Sequence, residues 1–172
     1  MQVFDFDVKI CADIETVSHE FWALCSWLEI APHVRDITMH YEDSQVQVLT
    51  MVVDTRGRID TFKSVRVRRG NTIHYIQPSP PPTLLFHEGS WSFAPAPDGT
   101  IVTSQHRIEV CLAKAGQFLE QTGARPANDH DIREGLAAVI RNNSLQTMLG
   151  LKAHIEAAKE LTDDRKVVGQ VA

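Results

Sequence analysis

The sequence predicts an α+β domain in which a curved antiparallel sheet of about seven strands wraps one long C-terminal helix. First, segments of two-residue alternation follow one another across gaps of only a few residues, the pattern of hairpin-linked antiparallel neighbours. Second, from Asp131 to roughly Leu161 apolar residues fall at Ile132, Leu136, Ile140, Met148, Leu151, Ile155 and Ala158, spaced as one buried helical stripe. Third, there is no β-α-β alternation and no Gly-rich phosphate loop, which disfavours doubly wound nucleotide-binding folds. A sheet that does not close fully on its helix leaves a cavity, and that cavity is the natural site for a large, mostly apolar ligand.

Each element has its own signal. Val3 to Ile10 alternates as a strand. Glu15 to Ser26 carries Val17, Phe21, Trp22, Leu24 and Cys25 at helical spacing, with Asp13 or Thr16 available as a cap. Trp27 to Val34 contains Pro32 and reads as a second short helix or a turn. Arg35–Tyr41, Gln45–Val53, Arg58–Arg68 and Thr72–Gln77 read as strands, separated by Gly, Asn, Asp and Ser. The run Pro78-Ser79-Pro80-Pro81-Pro82 is a stiff connector, because proline cannot donate to a ladder. Leu84–Phe93 and Thr100–Leu112 are two more strands around the turn signal Pro95-Ala96-Pro97-Asp98-Gly99. Lys114 to Asp129 is ambiguous: Gly116, Gly123 and Pro126 argue for a loop, and a helical turn around Gln117 to Gln121 is open. A single domain is expected over residues 1–161, with a frayed tail at 162–172.

Composition narrows the function classes. Seventeen basic and 22 acidic residues give a net charge of −5, which argues against a nucleic-acid partner. No apolar run approaches the ~20 residues of a membrane span. Met1 leads at once into a strand pattern, so no secretory leader is expected and a cytoplasmic location is the default. Cys11, Cys25 and Cys111 are far apart, with no CxxC or Cys/His metal spacing, and read as buried or half-buried thiols.

Five stretches carry a resemblance: Trp27 with Pro32-His33-Val34-Arg35; Phe62-Lys63-Ser64-Val65-Arg66; Gln77 with Pro80-Pro81-Pro82, then Gly89-Ser90-Trp91-Ser92-Phe93; Gln105-His106-Arg107-Ile108; and Arg141-Asn142-Asn143-Ser144. In order and spacing they resemble the bacterial aromatic polyketide aromatase/cyclases of the START-like, birch-pollen-allergen-like superfamily, over roughly Val3 to Ala158. The resemblance implies a helix-grip fold. It also implies a substrate, a poly-β-keto chain delivered by an acyl carrier protein, and a reaction, intramolecular aldol closure with dehydration to an aromatic ring. No metal or redox cofactor is implied, and the protein would be a monomer or homodimer. Two positions depart from the family. Phe62 stands where some members have Trp, and Val34 stands where some have Tyr.

Candidate residues follow from strand faces and from the resemblance. Phe62, Ser64 and Arg66 share one face of their strand. Alternation alone turns Val65 and Val67 inward and leaves Arg66 in solvent, whereas the resemblance implies Arg66 in the cavity, stabilising an enolate or keto oxygen. Ser64 would then orient substrate or a water. His106 shares a mostly apolar face with Val102, Ser104, Ile108 and Val110, as a proton shuttle or as a hydrogen-bonded core histidine. His87, grouped with Leu85, Trp91 and Phe93, is a further pocket candidate. Asn143 interrupts the apolar stripe of the long helix, for a ligand carbonyl or for a neighbouring polar group. Trp27, Phe62, Trp91 and Met148 either line the cavity or pack as plain core. The competing reading is a non-catalytic carrier of a lipid, quinone or other hydrophobe, and a third is a ligand-binding regulatory module. The facing of Arg66 discriminates the first two.

Overall fold

The computed structural model describes residues 1–168, with side chains through residue 161. Seven strands form one sheet: β1 (Gln2–Ile10), β2 (Val34–Glu42), β3 (Val46–Thr55), β4 (Arg58–Arg69), β5 (Thr72–Ser79), β6 (Leu84–Ala96) and β7 (Gly99–Val110). Every pairing is antiparallel, in the order β1-β7-β6-β5-β4-β3-β2. Hence β2 to β7 form a meander, and β1 joins it beside the last strand. Helices α1 (Ile14–Trp22) and α2 (Trp27–Ile30) bridge from β1 to β2. Helices α3 (Leu112–Gln121) and α4 (Asp129–Val168) follow the sheet.

Local chemistry accounts for these joints. The β3–β4 hairpin turns on Arg56 and Gly57, with φ of +54° and +83°, the conformation a two-residue hairpin needs. Asp13 caps α1, its Oδ1 accepting the Thr16 amide at 2.9 Å. Register shifts that place an extra residue in β2, β5 and β6 mark bulges, which bend the sheet around α4. At Gly150 of α4 an added Cβ would lie 2.2 Å from the Ile30 carbonyl oxygen, so glycine lets α2 sit directly on the helix.

The core divides at the cavity. One cluster joins Phe21, Trp22, Trp27, Leu49, Ile73, Met148 and Leu151 under α1 and α2. The other joins Leu84, Ile108, Phe118, Leu119 and Leu136 between α3, α4 and the sheet. The α4 stripe is buried or half-buried from Ile132 through Ile155, but Ala158 is exposed.

Four expectations change. The stretch after Lys114 begins with a full helix, α3, rather than a loop. Gly116 costs a helix about 1 kcal/mol relative to Ala, but Phe118 and Leu119 become buried and the glycine clears Ile132 of α4. The first helix stops at Trp22, not Ser26. Helix α4 runs to Val168, past the expected Leu161; of the tail expected at 162–172, residues 169–172 lie outside the described residues. Cys11 and Cys25 are exposed, in the connections after β1 and α1, and Cys111 is half-buried. No helix among the described residues is long and apolar enough to cross a membrane.

Candidate functional site

A cavity of about 180 Å³ lies between the inner face of β3 to β7 and helix α4. Most of its wall is apolar, from Leu49, Met51, Val53, Leu84, Phe118, Leu136, Val139 and Ile140. Set into that wall are Asp60, Phe62, Ser64 and Arg66 of β4, Tyr75 and Gln77 of β5, His87 and Trp91 of β6, His106 of β7, and Asn143, Ser144 and Thr147 of α4.

Arg66 is 3% exposed and faces inward. Its Nη1 donates to Gln47 Oε1 at 2.7 Å and to the Trp22 carbonyl at 3.2 Å, and its Nη2 donates to the Phe21 carbonyl. Those carbonyls are the last two of α1, where intrahelical partners run out; the Trp22 carbonyl also accepts from Gln47 Nε2 at 3.2 Å. The guanidinium carbon lies 5.2, 5.4 and 5.5 Å from the ring centroids of Trp22, Trp27 and Trp91. Burial pushes Arg66 down, the charge of Glu42 partly offsets it, and the balance leaves Arg66 at about 9, so it stays a cation at neutral pH. Gln47 links the two, giving its amide N–H to Glu42 Oε1 at 2.6 Å. Among the described residues the Nε proton of Arg66 has no acceptor.

His106 is the hub of the opposite wall. Its Nδ1 lies 2.9 Å from Tyr75 Oη and 3.1 Å from His87 Nε2. Its Nε2 lies 3.2 Å from Ser104 Oγ and 3.1 Å from Ser144 Oγ. Phe4 stacks on its ring at 5.0 Å, and the Arg141 guanidinium lies 5.2 Å from the centroid of the Phe4 ring. Burial, then the Arg141 charge, lowers His106 to about 4. Burial, then His106, lowers His87 to about 3. Burial raises the Tyr75 phenol. At neutral pH all three are uncharged, a hydrogen-bonded chain suited to passing a proton without carrying net charge.

The other residues singled out in the sequence are placed as follows. Ser64 is buried and lines the cavity beside Arg66; Phe62 lines it half-buried. Trp27 and Trp91 meet edge to face at 5.8 Å and close the cavity end near Arg66. Asn143 gives its amide N–H to Thr55 Oγ1 at 3.3 Å while lining the cavity, so a neighbouring polar group is its partner here. Met148 lies apart from the others. It is 0% exposed in the α1–α2 core and not in the cavity wall, because α4 by that turn is covered by α2. His87 does face inward, but with Leu84 rather than Leu85, which is 63% exposed; the bulge between Leu84 and Phe86 shifts the register.

Sequence reasoning missed Tyr75, Ser144, Gln47 and Asp60. Tyr75 was within reach, since Ile73, Tyr75 and Gln77 alternate on one strand face and all three are buried. Asp60 offers no such signal. Its Oδ1 pairs with Arg58 at 3.0 Å, and it places a carboxylate at the cavity wall. Among the described residues no group of three His, Cys, Asp or Glu side chains is arranged to hold a metal ion.

No family model matches the chain. In sequence it is 29% identical over 125 residues to the granaticin polyketide synthase bifunctional cyclase/dehydratase of Streptomyces violaceoruber, covering 71% of this chain and 37% of that protein. In structure it superposes on BexL, a di-domain aromatase/cyclase of the BE-7585A biosynthetic pathway, with a TM-score of 0.78 and 29% identity, over 90% of this chain and 50% of that one. The chain has the START-like helix-grip fold and is similar in sequence and structure to polyketide aromatase/cyclases. This START-like domain has the same fold as StfQ, the di-domain aromatase/cyclase of the steffimycin pathway, with a TM-score of 0.80 and 24% identity over 92% of this chain and 52% of that one. It spans between about a third and a half of the length of these relatives.

Proposed function

We propose that this domain binds a poly-β-ketone in the cavity under α4, promotes one intramolecular aldol closure, and promotes dehydration to an aromatic ring. The observation that carries the reading is the convergence of a cation, Arg66, and a neutral proton chain, Tyr75–His106–Ser144, on one mainly apolar cavity. The carrier reading expects an apolar lumen without such a set.

The reaction is redox-neutral and asks for no metal or redox cofactor. A proton leaves a carbon between two carbonyls, the enolate carbon bonds to a distant carbonyl carbon, and the resulting alkoxide takes up a proton. Loss of that hydroxyl with a neighbouring proton, as water, completes the double bond. Arg66 supplies a fixed positive charge for the enolate oxygen in a mainly apolar site. His106 moves the proton, and Ser64 and Asn143 orient the chain. The walls, with Trp27, Phe62 and Trp91, hold the reacting carbons together, an effect worth roughly 7–11 kcal/mol. Substrate would come from an acyl carrier protein in the cytoplasm.

The test is reconstitution with a minimal polyketide synthase that releases a free poly-β-ketone, followed by mass spectrometry of the aromatic products. A shift from spontaneous shunt products toward one cyclised scaffold supports the reading. Unchanged profiles across several chain lengths, with a hydrophobe co-purifying, would establish the carrier instead.

A further inference from the structure

We propose that Gly89 is a positioning residue: its missing side chain is the passage through which Tyr75 reaches His106, and that contact sets which ring nitrogen of His106 carries the proton. The three residues form a row across the sheet. Tyr75 of β5 is registered with Gly89 of β6, and Gly89 with His106 of β7. The outer two therefore stand two strands apart, about 10 Å at the backbone, and the phenol must lie flat over position 89 to close the gap.

The space for it is open only to glycine. A Cβ built on Gly89 would lie 2.4 Å from Tyr75 Oη and 2.6 Å from its Cζ, under any tolerable contact. It would also lie 2.2 Å from the Gln105 carbonyl oxygen, so alanine displaces the ring and presses on the β6–β7 pairing at once. The backbone of Gly89 is not in the left-handed region, so close approach, not φ, is what calls for glycine.

The consequence is chemical. The Tyr75 hydroxyl lies 2.9 Å from His106 Nδ1; in the proposed arrangement it donates there, so Nδ1 accepts and the ring proton sits on Nε2. His87 Nε2 shares the same acceptor at 3.1 Å. The Nε2–H then points to Ser104 and Ser144, and Ser144 lines the cavity on α4. His106 thus presents a donor toward the substrate side. In catalysis, which rests on the cyclase reading, that donor serves the developing alkoxide; the proton's placement itself does not depend on that reading.

The test needs no substrate. Long-range ¹H–¹⁵N NMR reads the two ring nitrogens of His106 in the wild type, Tyr75→Phe, Gly89→Ala and the double variant. The wild type is expected to show a proton on Nε2 and an unprotonated Nδ1. Tyr75→Phe keeps the ring but removes the donor, and the tautomer ratio is expected to move by roughly fivefold, the weight of one net hydrogen bond. Gly89→Ala is expected to move it in the same direction, with the double variant no further displaced. Unchanged His106 shifts in Tyr75→Phe, or in a folded Gly89→Ala, would overturn the proposal. If Gly89→Ala does not fold, Tyr75→Phe alone decides. If the NMR result holds while the wild type leaves polyketide products unchanged, the cyclase reading fails and the positioning role of Gly89 stands.

Discussion

The guanidinium of Arg66, on β4, donates to the carbonyls of Phe21 and Trp22, the last two residues of α1. A cavity-lining residue thus also ties down the C-terminal end of α1. Arg66→Ala would leave the Phe21 carbonyl and the Gln47 amide oxygen without this donor in the interior, while the Trp22 carbonyl keeps its bond from Gln47 Nε2. A stability loss of at least about 3 kcal/mol is expected in urea titrations. Arg66→Lys should recover part of it, since a single ammonium cannot reproduce the fork. Activity lost in Arg66→Ala therefore speaks for catalysis only when measured on the folded fraction.

The buried histidines predict acid sensitivity. His87 and His106 are held at about 3 and about 4, against 6.5 when unfolded. Above pH 6.5 both states are neutral and the full stability is present. As pH falls from 6.5 toward 4, the unfolded chain binds protons that the native state does not, so stability drops. Each histidine contributes up to about 1.4 kcal/mol per pH unit. His87→Gln removes one such site, and the stability difference between pH 7 and pH 5 should shrink by about 2 kcal/mol. An unchanged difference would show that His87 titrates normally in the folded state.

Asn143 and Met148 should separate site from core. Asn143 has one side-chain bond, at 3.3 Å to Thr55, and is half-buried at the cavity. Asn143→Ala is expected to cost less than about 1 kcal/mol while changing the product distribution. Met148 is enclosed by the α1–α2 core. Met148→Ala is expected to cost about 2–5 kcal/mol and to leave the product distribution of the folded protein unchanged. Urea titration with product profiling checks both.

Legibility in the sequence followed the physics of each face. On β7, Val102, Ser104, His106 and Ile108 are buried as the alternation implies, because most of that face is apolar. On β4 the rule inverts. Ser64 and Arg66 are buried while Val65 and Val67 stay half-buried on the outer face, since a strand that walls a polar pocket turns its polar side in. Only the family resemblance gave the right facing there. The bulge in β6 and the glycine-containing α3 were hidden for a shared reason: both are decided by contacts with distant segments, Val110 and Glu109 of β7 in one case and Ile132 in the other. Tyr75 was passed over because its partner, His106, is 31 residues away and met only across Gly89.

The most direct measurement is the rate of first-ring closure by wild type and His106→Ala, both shown folded, with the same poly-β-ketone source. A single acid or base group typically contributes about 10²–10⁴-fold. His106→Ala is expected to lose that much while still exceeding the spontaneous rate, since the cavity continues to hold the chain. Closure within twofold of wild type would contradict a chemical role for the Tyr75–His106–Ser144 chain.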